Sequence, residues 1–520
     1  MNSKPSNNAA NENQAEHQTQ DSQQESIKSM HWTEIVAQKI SKEKQPPYVV
    51  LAGITPSGPV HPGTLCEFMY AYAVSKKLEK YGKTEFRFVS DDLDDLDSIP
   101  EPLKQYEQEI TPQMGMALVY AKDPMKCHNS FADHFVAETQ KIMKAFGVNV
   151  EFLRASDLYK QGKYDQFAKM MCENKDQVKE IVGKSSNRDK MPDEWFPIMP
   201  ICTKCNNVYR NIVLSYNEGT YKYKCSKCNN ESEDKIENHN YKLLFRLDWP
   251  TRQKFLNVIV EGGSVDHHSP GGTIATLKKI HSEFYKEEPP YMYKFGLLKY
   301  KGKKYSKSKG IGHTINEMLE LLPEEIIKYI LLKSDVEQDK ELVIDVETLM
   351  PILDEFRKIG QTDKADELHR ADNKKIIAYE LCDAKKTWNF DVGDAVLYYS
   401  IYKNWDKVAE LVEDKQGVEN LKQYMQVWIE RKLISSKYLF EVKMKKTENA
   451  GVIGALQNLQ DNMSAEEMQN AVYEYSKANK LEMKDLFKAF YLTLINQESG
   501  PKLGKLIHAI GVEKVKKTLL

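Results

Sequence analysis

The chain lacks any apolar run long enough to cross a bilayer, which takes about 20 consecutive apolar residues, and no membrane association is expected. It also lacks an excess of charge of one sign. Its 74 Lys and Arg against 76 Asp and Glu leave a net charge of −2, so a nucleic acid would have to be met by local patches rather than by a global field. The lysine-rich run from Lys299 to Lys309 is one such patch. Cysteine is sparse, eight in 520 residues, which argues against a disulfide-built framework. The first 26 or so residues are poor in large apolar side chains and rich in Asn, Gln, Ser and Glu. Such a segment cannot offset the entropy of ordering, and residues 1–28 are expected to form a disordered tail. It has no apolar core like that of a secretory signal and is not the Arg-rich, acid-poor leader of a mitochondrial protein, since it carries Glu12, Glu16, Asp21 and Glu25. A cytoplasmic location is the resulting expectation.

What is present reads as several domains, with 41% hydrophobic and 29% charged residues in ordinary proportion. Tyr48 to Ala52 and Glu85 to Ser90 have strand character, and Leu65 to Leu78 between them has helical spacing. A helix over Ala132 to Phe146, a strand over Val148 to Leu153 and a long helix over Tyr164 to Val182 follow. The alternation resumes with a segment from Phe255 to Val260, a helix from Ile274 to Tyr285 and a strand through Tyr293 to Leu298. Strands alternating with helices imply a parallel sheet whose ligands sit at the carboxyl ends of the strands. Short β-like pieces over 195–244 interrupt that pattern, and from Leu349 onward helical spacing dominates, as in a separate all-α domain. The expected divisions are an α/β domain over 29–295 with an insertion at about 195–244, a connecting region over 296–348, and a helical domain over 349–520.

Four of the cysteines form two C-x2-C pairs, Cys202 with Cys205 and Cys225 with Cys228, with nineteen residues between the pairs. Each pair can form a knuckle that presents two thiolates, and the spacer can return as a hairpin, so a structural Zn²⁺ site closed to water is expected. Two disulfides, or chance, are the alternatives.

Two loops carry the chemistry. Thr55-Pro56-Ser57-Gly58-Pro59-Val60-His61-Pro62-Gly63-Thr64 links the first strand to a helix, and Lys303-Lys304-Tyr305-Ser306-Lys307-Ser308-Lys309-Gly310 lies about 240 residues later. A helix N-terminus can face an anion, and mobile lysines can meet phosphate charge that builds during reaction. Together they suggest an ATP-adenylating site.

Ser57 to Thr64 resembles the HIGH signature of class I aminoacyl-tRNA synthetases, and Lys304 to Ser308 resembles their KMSKS signature. Within that class the chain is most similar to class I lysyl-tRNA synthetases, through Gly53 to Gly58, Asp91-Asp92-Leu93-Asp94, the four-cysteine insertion, Arg246 to Pro250, Asp266-His267 before Gly271-Gly272, and Gly500-Pro501-Lys502. The resemblance covers about residues 30–520 and implies a Rossmann-type catalytic domain, an inserted zinc-binding subdomain and an all-α anticodon-binding domain. It implies activation of L-lysine by ATP with Mg²⁺, then transfer of lysine to tRNA(Lys) by a protein expected to act as a monomer.

On that resemblance His61, Thr64, Lys304 and Lys307 are the catalytic candidates, and Ser57, Gly58, Gly63, Ser306 and Ser308 complete the ATP site. Gly53, Thr55, Trp249, Asp266, His267 and Tyr293 are the lysine-site candidates, with a core role the alternative for Trp249. Pro62 and Tyr305 depart from the signatures at positions expected to pack rather than react. The run Asp91 to Asp97 departs in its continuation: after Asp91-Asp92 the segment from Asp94 to Pro100 is acidic where the family usually places basic residues. Lys502, Lys505 and Lys514 to Lys517 are candidate tRNA contacts. Other class I synthetases, such as glutamyl or cysteinyl enzymes, and a tRNA-binding paralogue without catalysis are the competing readings.

Overall fold

Tyr48–Ile54 is apolar at almost every position, as a parallel strand covered on both faces must be, and its first five residues are buried. In the computed structural model, which describes residues 30–520 apart from 189, 306–311, 344, 362–372 and 436–437, this segment is the central strand β1 of a five-stranded sheet. The tail expected over 1–28 lies outside the described residues. The partners of β1 are β2 (Thr84–Ser90), β3 (Glu151–Arg154), β4 (Val260–Ser264) and β5 (Tyr291–Phe295), in the order β5-β4-β1-β2-β3 and all parallel. Helix α1 (Pro62–Leu78) follows β1, α2 (Phe131–Ala145) precedes β3, and α3 (Phe245–Phe255) precedes β4. The order runs outward from β1 in both directions, so the crossovers diverge between β1 and β4 and leave a crevice at their carboxyl ends.

Two strands begin later than the apolar pattern suggested, for one reason. Val148 closes α2: Gly147 takes a left-handed φ of +66°, and the Val148 N–H returns to Met143 O at 2.9 Å. Asn257 and Val258 end α3 in the same way, with φ +53° and a Val258 N–H bond to Gln253 O at 2.9 Å. In each case the apolar residue belongs to a helix-terminating motif rather than to the next strand. The single helix expected over 164–182 is instead two, Asp165–Glu173 and Lys175–Ser185. They part at Asn174, whose side-chain amide donates to Met170 O at 2.9 Å and so competes with the backbone. The helix expected over 274–285 is α-helical only for Thr273–Lys279 and continues as a wider turn over Ile280–Tyr285. The strand expected over 293–298 is two, β5 and Leu298–Tyr300.

The insertion stands on a two-stranded ladder of Ile198–Pro200 with Tyr241–Leu243. Beyond it three antiparallel strands, Ile212–Asn217, Thr220–Lys224 and Glu231–Lys235, form a small sheet whose inner side buries Tyr221 and Tyr223.

The described residues divide into two compact units, one from residues up to 317 with 328–342 and part of 367–382, the other from 318–327, part of 343–366, and 383–520. The second is helical throughout its C-terminal part. Its helices Ala450–Gln457, Ala465–Ala478, Met483–Ile495, Leu503–Ile510 and Val512–Leu519 enclose one core that includes Val472, Phe490, Leu506 and Val515. Two of its lysines suggested for tRNA contact are engaged within the unit. Lys505 pairs with Asp394 at 2.6 Å, and Lys516 donates to Leu459 O at 2.7 Å. Among the described residues no helix is long and apolar enough to cross a membrane.

Candidate active site

At the carboxyl end of β1 the chain turns through Thr55 to Val60 and starts α1 at Pro62, whose fixed φ and missing N–H suit a first helical position. His61 is the N-cap. Its Nδ1 accepts the Thr64 N–H at 3.2 Å, and the same N–H also reaches His61 O at 2.9 Å. The helix start expected to face an anion through its backbone is therefore already capped by the histidine itself. An Nδ1 that accepts carries no proton, so in the neutral ring the proton sits on Nε2. Gly63 makes this fold-back possible, since a Cβ there would lie 2.7 Å from His61 Cε1.

His61, Gly63 and Thr64 share one cleft of about 530 Å³ with Gly53 of β1, Thr55 just after it, His267 in the helical turn after β4, and Lys304. Lys304 also pairs with Asp266, which lies on the exposed rim. Ser57 and Gly58 lie in the connecting loop and do not line the cleft. Ser306, Lys307 and Ser308 lie outside the described residues. Pro62 is buried, and Tyr305 is buried with its hydroxyl donating to Leu342 O at 2.8 Å.

The cleft has an acidic floor. Glu67, one turn after Gly63 on α1, lines it, and Glu261 of β4 lies close enough to raise its pKa. Burial, reinforced by the Glu261 charge and opposed by Lys304, pushes the Glu67 carboxyl up to about 8. Tyr293 crosses from β5 over Gly262, where a Cβ would meet its ring at 2.5 Å, and its buried hydroxyl has no partner among the described residues. Trp249 is only 6% exposed and does not line the cleft. Its indole N–H donates to Glu261 at 2.8 Å, and its ring meets the His267 ring edge-on at 5.2 Å. Trp249 thus supports Glu261 and His267 from behind. Glu67 was not among the residues picked out from sequence, although a lone acid inside the apolar stretch Leu65-Cys66-Glu67-Phe68-Met69 was the available signal.

The acidic segment after β2 is answered from within. Asp91 pairs with the buried Arg252 of α3, which also faces Asp248 at 3.8 Å. Asp248 in turn accepts from Tyr159 at 2.6 Å and Tyr164 at 3.0 Å. Asp92 accepts from Arg154 at 2.7 Å and from the Ser156 N–H at 2.7 Å, and Arg154 reaches on to Asp133 at 2.6 Å. Asp94 pairs with Lys242 and accepts from Thr55 at 2.5 Å. The segment binds the end of β2 to α2, α3 and the base of the insertion.

The four cysteines of the insertion converge, with every sulfur within 4.8 Å of the others. Cys202 Sγ lies 3.7 Å from Cys228 Sγ, and Cys205 Sγ lies 3.6 Å from Cys225 Sγ. Those distances fit the edges of a tetrahedron, about 3.8 Å for metal–sulfur bonds of about 2.3 Å, and are far too long for a disulfide of about 2.05 Å. Both knuckles repeat one turn. Asn206 and Asn229 take φ of +56° and +58°, and their N–H groups donate to Cys202 O and Cys225 O. Asparagine tolerates that conformation better than most residues.

A second cluster, Asp123, Cys127, His128 and His134, brings its donor atoms equally close. Cys127 Sγ lies 3.2 Å from Nδ1 of both histidines and 3.3 Å from Asp123 Oδ2. The Asp123 side chain is buried and is aimed by the N–H groups of Met125, Cys127 and His128. Its spacing matches no paired-cysteine pattern, so nothing in the sequence sets Cys127 apart from the cysteines outside the two pairs.

Comparison with known proteins places this geometry. Residues 30–385 match the family model described as tRNA synthetases class I (K). The lysine–tRNA ligase of Archaeoglobus fulgidus is 28% identical over 515 residues, covering 94% of this chain and 99% of its own length. Those of Methanocaldococcus jannaschii and Borreliella burgdorferi are each 28% identical, covering 94% of this chain and 98% and 99% of theirs. With the family model spanning the parallel sheet, the cleft at its switch point and the cysteine insertion, the chain belongs to the class I (K) tRNA synthetases.

Proposed function

We propose that this chain is a lysine–tRNA ligase that activates L-lysine with ATP and transfers the lysyl group to the 3′ end of tRNA(Lys). One observation carries the choice of lysine: the cleft that joins His61 and Lys304 is also lined by the Glu67 carboxyl, and buried beside that carboxyl are Glu261 and the Tyr293 hydroxyl, which has no partner among the described residues. A buried acidic pocket with an unmet hydrogen-bonding group suits an ammonium ion and penalises an apolar or anionic side chain.

In the first step an oxygen of the lysine carboxylate attacks the α-phosphorus of ATP, and the bond to the β-phosphate oxygen breaks to release pyrophosphate. Both reactants are anions, so positioning and charge neutralisation supply most of the catalysis. His61 donates from Nε2 to the phosphates, its ring held by the Nδ1 cap. Lys304, released from Asp266, and Lys307 meet the charge on the departing pyrophosphate, with Ser306 and Ser308 shaping their loop. Gly63 and Thr64 form the nucleotide side of the cleft, with Ser57 and Gly58 in the loop that leads to it. Gly53 and Thr55 border the amino acid, while His267 and Tyr293 enclose its side chain. Mg²⁺ bound with ATP would supply further neutralisation of the triphosphate.

The cysteine insertion fits a structural Zn²⁺ held by Cys202, Cys205, Cys225 and Cys228, and Asp123, Cys127, His128 and His134 fit a second. The first would hold the hairpin of the insertion, and the second the loop that leads into α2. In the second half-reaction the ribose hydroxyl of the terminal nucleotide displaces AMP from lysyl-adenylate. The insertion would guide the acceptor end and the helical unit would read the anticodon.

Pyrophosphate exchange measured with each of the twenty amino acids tests the reading. Exchange strongest with lysine is expected, and exchange strongest with any other amino acid overturns it. Metal analysis of the purified protein should find two zinc ions per chain, falling to one in a Cys127→Ser variant.

A further inference from the structure

The mechanism above leaves unused a buried cation at the root of the cysteine insertion. Lys242 lies in the ladder strand Tyr241–Leu243 with a side chain only 1% exposed, and its ammonium pairs with Asp94. The other oxygen of Asp94 accepts the Thr55 hydroxyl at 2.5 Å. Thr55 and Asp91 line the cleft. A hydroxyl whose proton is committed to a carboxylate is left with only acceptor capacity, so Thr55 Oγ1 meets the cleft as an acceptor. Asp91, Asp94 and Asp248 face the two cations Lys242 and Arg252 here, and burial raises the Asp91 carboxyl to about 7, so this end of the cleft has no excess positive charge to repel an ammonium. Glu67 lines the cleft elsewhere, with Glu261 and Tyr293 buried close to it. A ligand that carries two ammonium groups can satisfy both Thr55 and Glu67.

We propose that Lys242 is a positioning residue for recognition of the substrate's α-ammonium group: by holding Asp94 it fixes Thr55 Oγ1 as the acceptor that receives the α-ammonium. This rests on the lysine-activation reading and deepens it. It assigns the α-ammonium to the Thr55, Asp94 and Asp91 end and the ε-ammonium to the Glu67 end. It also gives the insertion a part in amino-acid selection, because Lys242 belongs to its base strand rather than to the sheet.

The test compares two ligands that differ only at the α-carbon, L-lysine and 6-aminohexanoate, which keeps the carboxylate and the ε-ammonium but lacks the α-amino group. In the full-length protein, Lys242→Met should raise the lysine KM in pyrophosphate exchange at least tenfold while leaving the ATP KM within twofold. Inhibition by 6-aminohexanoate should stay within twofold, so the preference for lysine over its desamino analogue collapses. Lys242→Arg should restore most of that preference. Asp94→Asn, which keeps the shape and removes the charge, should reproduce the loss if Lys242→Met does not fold.

Equal weakening of both ligands would reduce Lys242 to a structural residue and overturn the proposal, as would an unchanged lysine KM in both variants at wild-type melting temperature. Failure of the lysine reading is separable, because it shows in the wild type as strongest exchange with another amino acid. The same comparison then runs with that amino acid and its own desamino analogue, since every amino acid carries the α-ammonium.

Discussion

The carboxylates that follow β2 and those beneath the cleft are alike in chemistry and differ in what answers them. Asp91, Asp92 and Asp94 each meet a cation, in Arg252, Arg154 and Lys242. Among the described residues Glu67 has no ion pair, only the more distant pull of Lys304, and its neighbour Glu261 adds a like charge. Burying a charge is costly unless it is paired, so the paired set acts first as architecture and meets a ligand through the Thr55 hydroxyl that Asp94 holds, whereas the underpaired set is a place kept for a cationic ligand. Acidity alone does not distinguish them; the partner does.

The sharpest way to break that distinction is to remove a partner from the architectural set. Arg252→Met strands Asp91 and Asp248 in the interior and should cost about 3–5 kcal/mol of stability, read from urea unfolding. A loss under about 1 kcal/mol would mean the pairing matters little. Next in size is Glu67→Gln, which should lower kcat/KM for lysine by about 10²–10³ at undiminished stability, because a buried charged hydrogen bond to a ligand is worth about 2–5 kcal/mol. If Glu67→Gln instead unfolds the protein as Arg252→Met does, the two acidic sets do not differ in kind.

The third expectation is a pH dependence. Burial and Glu261 raise the Glu67 carboxyl from its ordinary 4.5 to about 8. The folded protein without ligand therefore holds this proton more tightly than the unfolded chain, and Glu67 makes the fold less stable as pH rises from 4.5 towards 8. Lysine binding needs the carboxylate, so its affinity should rise with pH up to about 8, by up to about tenfold per unit, and then level off. Calorimetric titration between pH 6 and 9 reads this directly, and Glu67→Gln should flatten the profile. The smallest effect belongs to an exposed pair, Lys304 with Asp266. Asp266→Asn should lower the ATP KM by about twofold, the scale of an exposed ion pair worth less than about 1 kcal/mol.

How far the sequence could be read follows the same logic of partners. The parallel sheet, the His61 loop at the end of β1 and the convergent cysteine pairs were legible because each is local: an apolar run, a turn into a helix, a C-x2-C spacing. Val148 and Val258 misled because an apolar residue after a left-handed turn packs back on its own helix, and only the backbone bond to Met143 or Gln253 distinguishes that from a strand start. Glu67 and Lys242 were missed for a different reason. Each looks like an ordinary charged residue in sequence, and its meaning comes from residues about 190 and 150 positions away, Glu261 and Asp94. Cys127 gained its significance from Asp123, His128 and His134, which no pairing of cysteines announces. Lys505 and Lys516 show the converse, cations that read as free for a polyanion and are engaged within their own unit.

The cap at His61 also decides which experiment on that residue can be interpreted. One nitrogen of the ring holds the first turn of α1 and the other carries the proton, so replacement by alanine removes a fold contact and a chemical donor in a single step. Losing an N-cap costs about 1 kcal/mol by itself, enough to confuse a lost reaction with a loosened helix. Asparagine is among the best N-caps and its short amide can still accept the Thr64 N–H, yet it cannot reach as far as an imidazole Nε2. A His61→Asn protein therefore isolates the donor from the scaffold, and the difference between its activity and that of the alanine variant measures how much of the histidine is spent on starting a helix.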